Sequence, residues 1–480
     1  MEKITIEEIK KRVKKSFFSL LARQVLLRII GFVTINIVLA KILPVETLGI
    51  FNIATGIITF FAFFSDVGLA ASLIQKKEEL KNEDISTTFT IQVIIVGILS
   101  LAIFLSAPYF GNLYNLNSDG VWLIRILGIS FFLTSLKVTP SVLLERNLRF
   151  NPLVFVEVVE TLVFNILLIF LVYQGKGIWS FSIATLVKGM VGVVIIYAVA
   201  PVRVGLGIEK EAARKLLSFG LPFQANNLLA LVKDRLVPLV IARMVGATGI
   251  GYITWSQNLA FLPLEFMNII TRITFPAFSR LQSDSQSLSR AVEKSLFITA
   301  LVVYPTLFGI GAILPSLVTY VVSSKWQPAV NSFYLFAFST YWAVMSTTFT
   351  NTLNAIGKIK ITLKLMVMWT VLTWVLTPIL TLSFGFIGVA LASFIISFSS
   401  VVTIILVKRI LVVNILGAIS IPTLASLAMG VLVYFYAQFL VRDKLTLIGA
   451  ILIGVIFYSL IIYLFAKDKI INDYKSLKGD

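Results

Sequence analysis

"LAKILPVETLGIFNIA" (residues 39–54) and "IARMVGATGIGYITWS" (residues 241–256) are one local pattern written twice, at an offset of 202 positions. The register matches Ala40 with Ala242, Lys41 with Arg243 and Gly49 with Gly251. In each copy an apolar run ends, a cation and a turn residue follow, and a second apolar run begins. That is the connection between the first and second helices of a set. Further along, "TPSVLLERNLRF" (139–150) and "FTNTLNAIGKIK" (349–360) close the fourth helix of each set in the same style. Sets of six helices, an even number, run parallel and relate by an axis along the membrane normal.

The composition explains why these helices need a membrane. Of 480 residues, 58% are hydrophobic and 13% charged, and the mean hydropathy is +0.96. A soluble chain would be about half apolar and about a quarter charged. Runs of about twenty apolar residues, enough for a hydrocarbon core of about 30 Å, fall near 16–40, 45–74, 86–108, 120–145, 152–173, 177–200 and 214–242. They continue near 247–275, 293–316, 329–354, 359–382, 385–407, 413–439 and 445–466, which makes about 14. The fold expected is all-α: a polytopic integral membrane protein of two pseudo-symmetric six-helix lobes, 1–205 and 206–411. Two more helices and a basic tail occupy 412–480.

With no cysteine and no histidine, disulfides, thiolate chemistry, His relays and the common metal centres are excluded. No metal or cofactor is expected. No GxxxxGK[ST] loop is present, so the chain does not hydrolyse ATP itself. The connections outside the spans are short, leaving little room for an extracytoplasmic catalytic site. Transport, not enzymatic chemistry, is what remains.

The charge of +18 is largely topology. With the N-terminus inside, 26 basic residues lie in inner segments, 6 in outer ones and 9 within spans. The positive-inside rule then places both termini in the cytoplasm. Trp122, Trp179, Trp255 and Trp326 fall at expected outer ends, as an aromatic belt requires. No basic stretch is interleaved with aromatics on a soluble face, so nucleic acid is not an expected partner. The opening "MEKITIEEIKKRVKKS" lacks a short apolar core with a cleavage site, so no cleaved signal peptide is expected.

Polar residues inside the spans point to the function. "LLALVKDRLVPLVIA" (228–242) sets Lys233, Asp234 and Arg235 in the middle of an apolar run. At about 100° per residue, Gln224, Asn227, Asp234 and Arg235 share one face and Lys233 lies opposite. On the eighth helix Asn258, Glu265 and Arg272 recur every seven residues, with Thr254 and Asn268 nearby. The second helix groups Asn52, Thr55, Thr59 and Asp66, and the first groups Ser16, Ser19, Arg23 and Thr34. Such stripes either line a water-filled cavity or hold helices together through hydrogen bonds. Lys364 and Arg125 read as snorkelling residues near span ends. Glu157 and Glu160 read as partners of Lys137 or Lys188 inside the first lobe. Leaving out the two residues at each span end, nine basic against five acidic residues within spans favour an anionic cargo, and Arg23, Arg235 and Arg272 suit two-point phosphate contacts. Asp66, Asp234 and Glu265 are the candidates for ion coupling.

"LPVETLGIFNIATGIITFFAFFSDVGLAASLIQKK" (43–77) and "LLERNLRF" (143–150) resemble the first lobe of the Wzx-type oligosaccharide flippases. "LSFGLPF" (217–223) and "KDRLVPLVIARMVGATGIGYITWSQNLAFLPLEFMNIITRITFPAFSRLQSD" (233–284) resemble the second lobe. These polysaccharide transporters belong to the multidrug/oligosaccharidyl-lipid/polysaccharide (MOP) exporter superfamily. The resemblance implies a cationic central cavity lined by helices one, two, seven and eight, and a polyprenyl phosphate or pyrophosphate carrying a sugar chain as cargo. It implies a monomer in the plasma membrane of a prokaryote, working among membrane lipids alongside a polymerase or glycosyltransferases. The rival readings are a drug or metabolite antiporter of the same superfamily and, from another class, a membrane glycosyltransferase or polymerase.

Overall fold

The computed structural model describes residues 27–65, 68–76, 78–200, 205–214, 216, 218 and 236–478. Helices follow one another with short connections: α1 (27–42), α2 (Val45–Phe63), α3 (Leu69–Gln75), α4 (Asn82–Leu113), α5 (Ser118–Ser135), α6 (Val138–Arg146), α7 (Phe150–Tyr173) and α8 (Trp179–Val199). After them come α9 (Val237–Phe261), α10 (Leu264–Arg280), α11 (Ser285–Leu317), α12 (Ala329–Ala355), α13 (Ile359–Phe384), α14 (Phe386–Ser397), α15 (Ser400–Lys408), α16 (Ile415–Leu440) and α17 (Lys444–Lys478). Among the described residues, 11 helices or helix pairs are long and apolar enough to cross a membrane. The chain is an all-α, multi-pass membrane protein. The expected spans at 16–40 and 214–242 lie partly outside the described residues.

Two compact units divide at Gly251: Met1–Gly251 and Tyr252–Asp480. The lobe boundary at 205/206 was drawn by the repeat; the compact division is drawn by packing. It falls later because the first part of α9 packs on α2, where a Cβ on Gly56 would lie 3.4 Å from the Leu239 side chain. In the first unit α5 packs on α4 and α8, and α7 on α8. In the second, α11 is the central post, burying Val292, Leu296, Ala300, Val303 and Tyr304 completely. It packs against α10, α12, α16 and α17.

Prolines inside these helices set where neighbouring helices attach. A proline at position i cannot donate to the carbonyl at i−4, and hydrocarbon offers no water to take its place. Four such carbonyls each accept a side-chain donor from another helix. Pro108 leaves Phe104, whose oxygen accepts from Arg125 Nε at 3.4 Å. Pro140 leaves Leu136, which accepts from the Tyr197 hydroxyl at 3.0 Å. Pro305 leaves Leu301, which accepts from the Tyr458 hydroxyl at 2.9 Å. Pro315 leaves Gly311, which accepts from the Tyr334 hydroxyl at 3.0 Å. Arg125 is therefore a packed residue: its guanidinium also lies over the Trp122 ring, 4.9 Å from the centroid.

Two of the expected belt tryptophans also differ. Trp255 and Trp326 are 3% and 0% exposed and stack on each other at 5.0 Å. They belong to the core of the second unit, whereas Trp122 and Trp179 keep about two fifths of their surface exposed. Two large rings that stack exclude lipid from each other's faces more completely than a headgroup region would.

The proline rule is testable by a double-mutant cycle in thermal unfolding of the detergent-solubilised protein. Tyr458→Phe strands the Leu301 carbonyl and should cost about 1–3 kcal/mol. Placed on a Pro305→Ala background, where the helical N–H is restored, the same change should cost markedly less.

Candidate functional site: a glycine crossing and two polar faces

The repeated junction at 39–54 and 241–256 is built differently in its two copies. In the first, Leu43 and Pro44 are extended (ψ 148° and 149°) between α1 and α2. In the second, position 246 is a glycine with φ 68° and ψ −176°, a conformation that interrupts α9 and is closed to side chains with a Cβ. Pro44 and Gly246 are themselves 202 residues apart.

Just beyond these breaks the two copies meet. A Cβ on Gly49 would lie 1.7 Å from the Ala247 carbonyl oxygen, and one on Gly251 would lie 2.6 Å from the Val45 carbonyl oxygen. Gly49 and Gly251 are repeat mates, and so are Val45 and Ala247. The crossing is thus reciprocal: each glycine receives the residue that stands four positions before its own mate. Backbones approach this closely only where no side chain intervenes. Nearby, at the end of α4, the Tyr114 phenol is pushed up by burial, with the Arg243 guanidinium opposing the shift. Arg243 is the repeat mate of Lys41.

From this crossing the polar faces run along the helices. On α2, Asn52 is half-buried and Thr55 exposed, and the Thr59 hydroxyl donates to the Thr55 carbonyl at 2.7 Å. In the second unit Asn258, Asn268 and Arg272 are exposed and Glu265 is half-buried. The expected seven-residue recurrence does not run along one helix. Leu262 and Pro263 separate α9 from α10, so Asn258 stands on the first and Glu265 with Arg272 on the second. The proline was the available signal. Behind the exposed face, Met267 and Phe278 of α10 are buried in the core of the unit, and Asn351 of α12 donates to Thr274 Oγ1 at 3.2 Å. Sequence reading did not single out Asn351, which fixes the rotation of α10 and hence where Arg272 points. Arg23, Asp66, Gln224, Asn227, Asp234 and Arg235, together with Lys233, lie outside the described residues.

The second unit also carries two apolar grooves on either side of α11 and α16. One, of about 810 Å³, runs between α11, α12 and α16 and is lined by Phe308, Phe333, Phe338, Leu427, Tyr434 and Phe435, among others. The other, of about 500 Å³, lies between α11, α16 and α17, where Gly309 and Gly454 thin the walls.

Residues 38–331 match the family described as "Polysaccharide biosynthesis protein". The chain is 26% identical over 301 residues to the lipopolysaccharide biosynthesis protein WzxC of Escherichia coli (strain K12), covering 61% of this chain and 60% of that one. It is 25% identical over 332 residues to the succinoglycan biosynthesis transport protein ExoT of Rhizobium meliloti (strain 1021), covering 68% and 66%. Each match spans less than two thirds of the relative's own length. Among solved structures, the lipid II flippase MurJ in an inward closed conformation aligns with a TM-score of 0.75 at 15% identity, over 94% of this chain and 99% of that one. An inward-facing multidrug resistance MATE family transporter of the MOP superfamily aligns at 0.60 and 16% identity, over 80% and 94%. These two likenesses are of fold.

Because the crossing is reciprocal, Gly49→Val and Gly251→Val should act alike, each prising α2 from the start of the second part of α9. The cysteine-free chain makes this measurable with a single Thr55→Cys. An impermeant thiol reagent on the side bearing Lys41 and Arg243 should label it about tenfold faster in either glycine variant, a shift of about 1.4 kcal/mol in the opening equilibrium. Unequal effects from the two would mean the crossing is not symmetric in function.

Proposed function

We propose, from the premise that the chain belongs to the polysaccharide biosynthesis protein family, that it flips a lipid-linked oligosaccharide from the cytoplasmic to the outer leaflet. The setting is the plasma membrane of a prokaryote, with both termini cytoplasmic by the positive-inside rule. The observation that carries the reading is Arg272, a guanidinium exposed on a helix whose other side is core. A cation at such a place in a membrane protein needs water, an anion or both. A phosphate or pyrophosphate linking sugar to prenyl chain offers the matching charge, and arginine grips it at two points.

Movement is by alternating access. The head group enters a wet, basic path from inside, with Arg23, Arg235 and Arg272 as the candidate phosphate contacts from the sequence and Asn52, Gln224, Asn227 and Asn258 as the candidate partners of sugar hydroxyls. Parting of the Gly49–Gly251 crossing releases it. The prenyl chain stays in lipid or in a groove beside α16, whose apolar walls suit it. No bond is made or broken, so no catalytic residue and no cofactor is required. A multidrug-type antiporter has the same fold, but nine basic against five acidic residues in the spans suit an anion better than a cationic drug.

The test is flipping of a defined prenyl-pyrophosphate-linked sugar in proteoliposomes. Arg272→Gln should slow it at least tenfold at equal folded protein, about 1.4 kcal/mol or more of lost binding. Arg272→Lys should be milder, because it keeps charge but loses the planar fork. Lys233→Gln, off the proposed face, is the control. Normal flipping by Arg272→Gln and Arg23→Gln beside an inactive Lys233→Gln would overturn the face assignment.

A further inference from the structure

The connector that follows α8 is fastened to α4 where α4 enters the membrane. The backbone N–H groups of Gly207 and Glu209 donate to the Thr90 and Thr87 hydroxyls at 3.0 and 2.9 Å. A Cβ on Gly207 would lie 3.8 Å from Ser86 Oγ. Both threonines stand at the start of the span expected at 86–108, just past the charged first turn of α4 at Glu83 and Asp84. At about 100° per residue, Thr87, Thr90, Ile94, Ile98, Leu101 and Leu105 form one stripe of that helix. The last four are exposed aliphatics, the surface a span shows to hydrocarbon. Thr87 is completely buried, because the connector lies over it. The connector therefore sits on the lipid side of α4, at the level where its apolar surface begins.

What the connector shows at that level is amphipathic. Leu206 and Ile208, in the non-helical stretch 205–209, are 79% and 57% exposed. Residues 210–214 are helical, started by Glu209, whose carboxylate accepts from the backbone N–H groups of Glu211 and Ala212. On this turn Lys210 and Arg214 share one side and are exposed, whereas Ala212 falls opposite and is buried, as is Leu216 one turn further on. Leu216 packs with Leu69, Leu73 and Val142, so the covered side belongs to the core of the unit. The stretch 201–218 carries Arg203, Lys210, Arg214 and Lys215 against Glu209 and Glu211, and the Glu209 carboxylate is engaged with backbone.

Depth orders these residues. Gly207 is held at Thr90 and Glu209 at Thr87, one turn nearer the charged end of α4, so the connector leaves the membrane as it runs. The aliphatic pair lies on the deeper part and the cations follow, which is the order of acyl chain and headgroup in a bilayer. The positive-inside rule puts this end of α4 in the cytoplasm, where anionic lipid attracts basic segments.

We propose that residues 205–214 form a lipid-binding foot. Leu206 and Ile208 enter the acyl region beside α4, and Lys210 and Arg214 hold the phosphate of an anionic phospholipid such as phosphatidylglycerol. The foot is separate from the cavity candidates and requires neither cargo nor a second conformation.

The chain has no cysteine, so a single Leu206→Cys carrying an apolar fluorophore reports on this segment alone. In phosphatidylcholine nanodiscs, lipids spin-labelled high on the acyl chain should quench it. Aqueous iodide should quench it far less than a label at Lys176→Cys, in the exposed turn between α7 and α8. Spin-labelled phosphatidylglycerol should act at a lower mole fraction than spin-labelled phosphatidylcholine, by about fivefold for each cation that holds it. Lys210→Gln/Arg214→Gln should bring the two lipids level while both still quench. If that variant fails to fold, raising salt from about 0.1 M to about 1 M without it should shrink the same preference by screening. Quenching by iodide and not by lipid would overturn the foot and leave the surface to a soluble partner. Equal quenching by the two lipids at low salt with both cations present would overturn the headgroup assignment. Neither readout involves flipping, so the Arg272 test holds or fails separately.

Discussion

In hydrocarbon a backbone carbonyl has no water to turn to, and this chain repeatedly removes the N–H that would satisfy one. Pro108, Pro140, Pro305 and Pro315 each free a carbonyl, and Arg125, Tyr197, Tyr458 and Tyr334 come from other helices to meet them. The defect in one helix becomes the attachment point of the next. Helix packing in lipid has no hydrophobic drive of its own, so these bonds, with close glycine contacts, supply orientation that burial alone would not. The carbonyl freed by Pro140 ties α8 to the break between α5 and α6, and the one freed by Pro305 ties α17 to the central post α11.

The same economy appears at the repeated junction. Pro44 and Gly246 solve one problem, stopping a helix and starting another, by opposite means: one fixes φ and the other permits a φ that side chains forbid. Gly49 and Gly251 then let two backbones touch. The seam is made by contact between bare backbones, with no long side chain between them.

Much of this was legible before any coordinates. The offset of 202 predicted which glycines would be equivalent, and they cross reciprocally. That Glu157 and Glu160 would pair with Lys137 or Lys188 followed from four charges too deep to be left alone, and the structure pairs Glu160 with Lys137. Other features were hidden for physical reasons. A helical wheel assumes an unbroken helix, so the Asn258–Glu265–Arg272 series was counted through the break at Pro263. Tryptophan at a span end suits either a headgroup or a stacked core, and only packing distinguishes Trp255 and Trp326 from Trp122. Asn351 carries no signal in a helix already rich in Ser, Thr and Asn; its partner Thr274 on α10 gives it meaning. Of the candidate cavity residues, Asn52, Asn258, Glu265 and Arg272 have described positions: Asn258 and Arg272 are exposed, Asn52 and Glu265 half-buried.

The proposed transport path depends on the charge of its cargo. The most direct measurement is side-by-side transport in proteoliposomes of two prenyl-linked sugars that differ only in the linkage, one through pyrophosphate and one through an uncharged ether. The cationic path predicts protein-dependent flipping of the pyrophosphate lipid and little of the ether. Equal flipping of both, or movement of a lipophilic cation in preference to either, would contradict it.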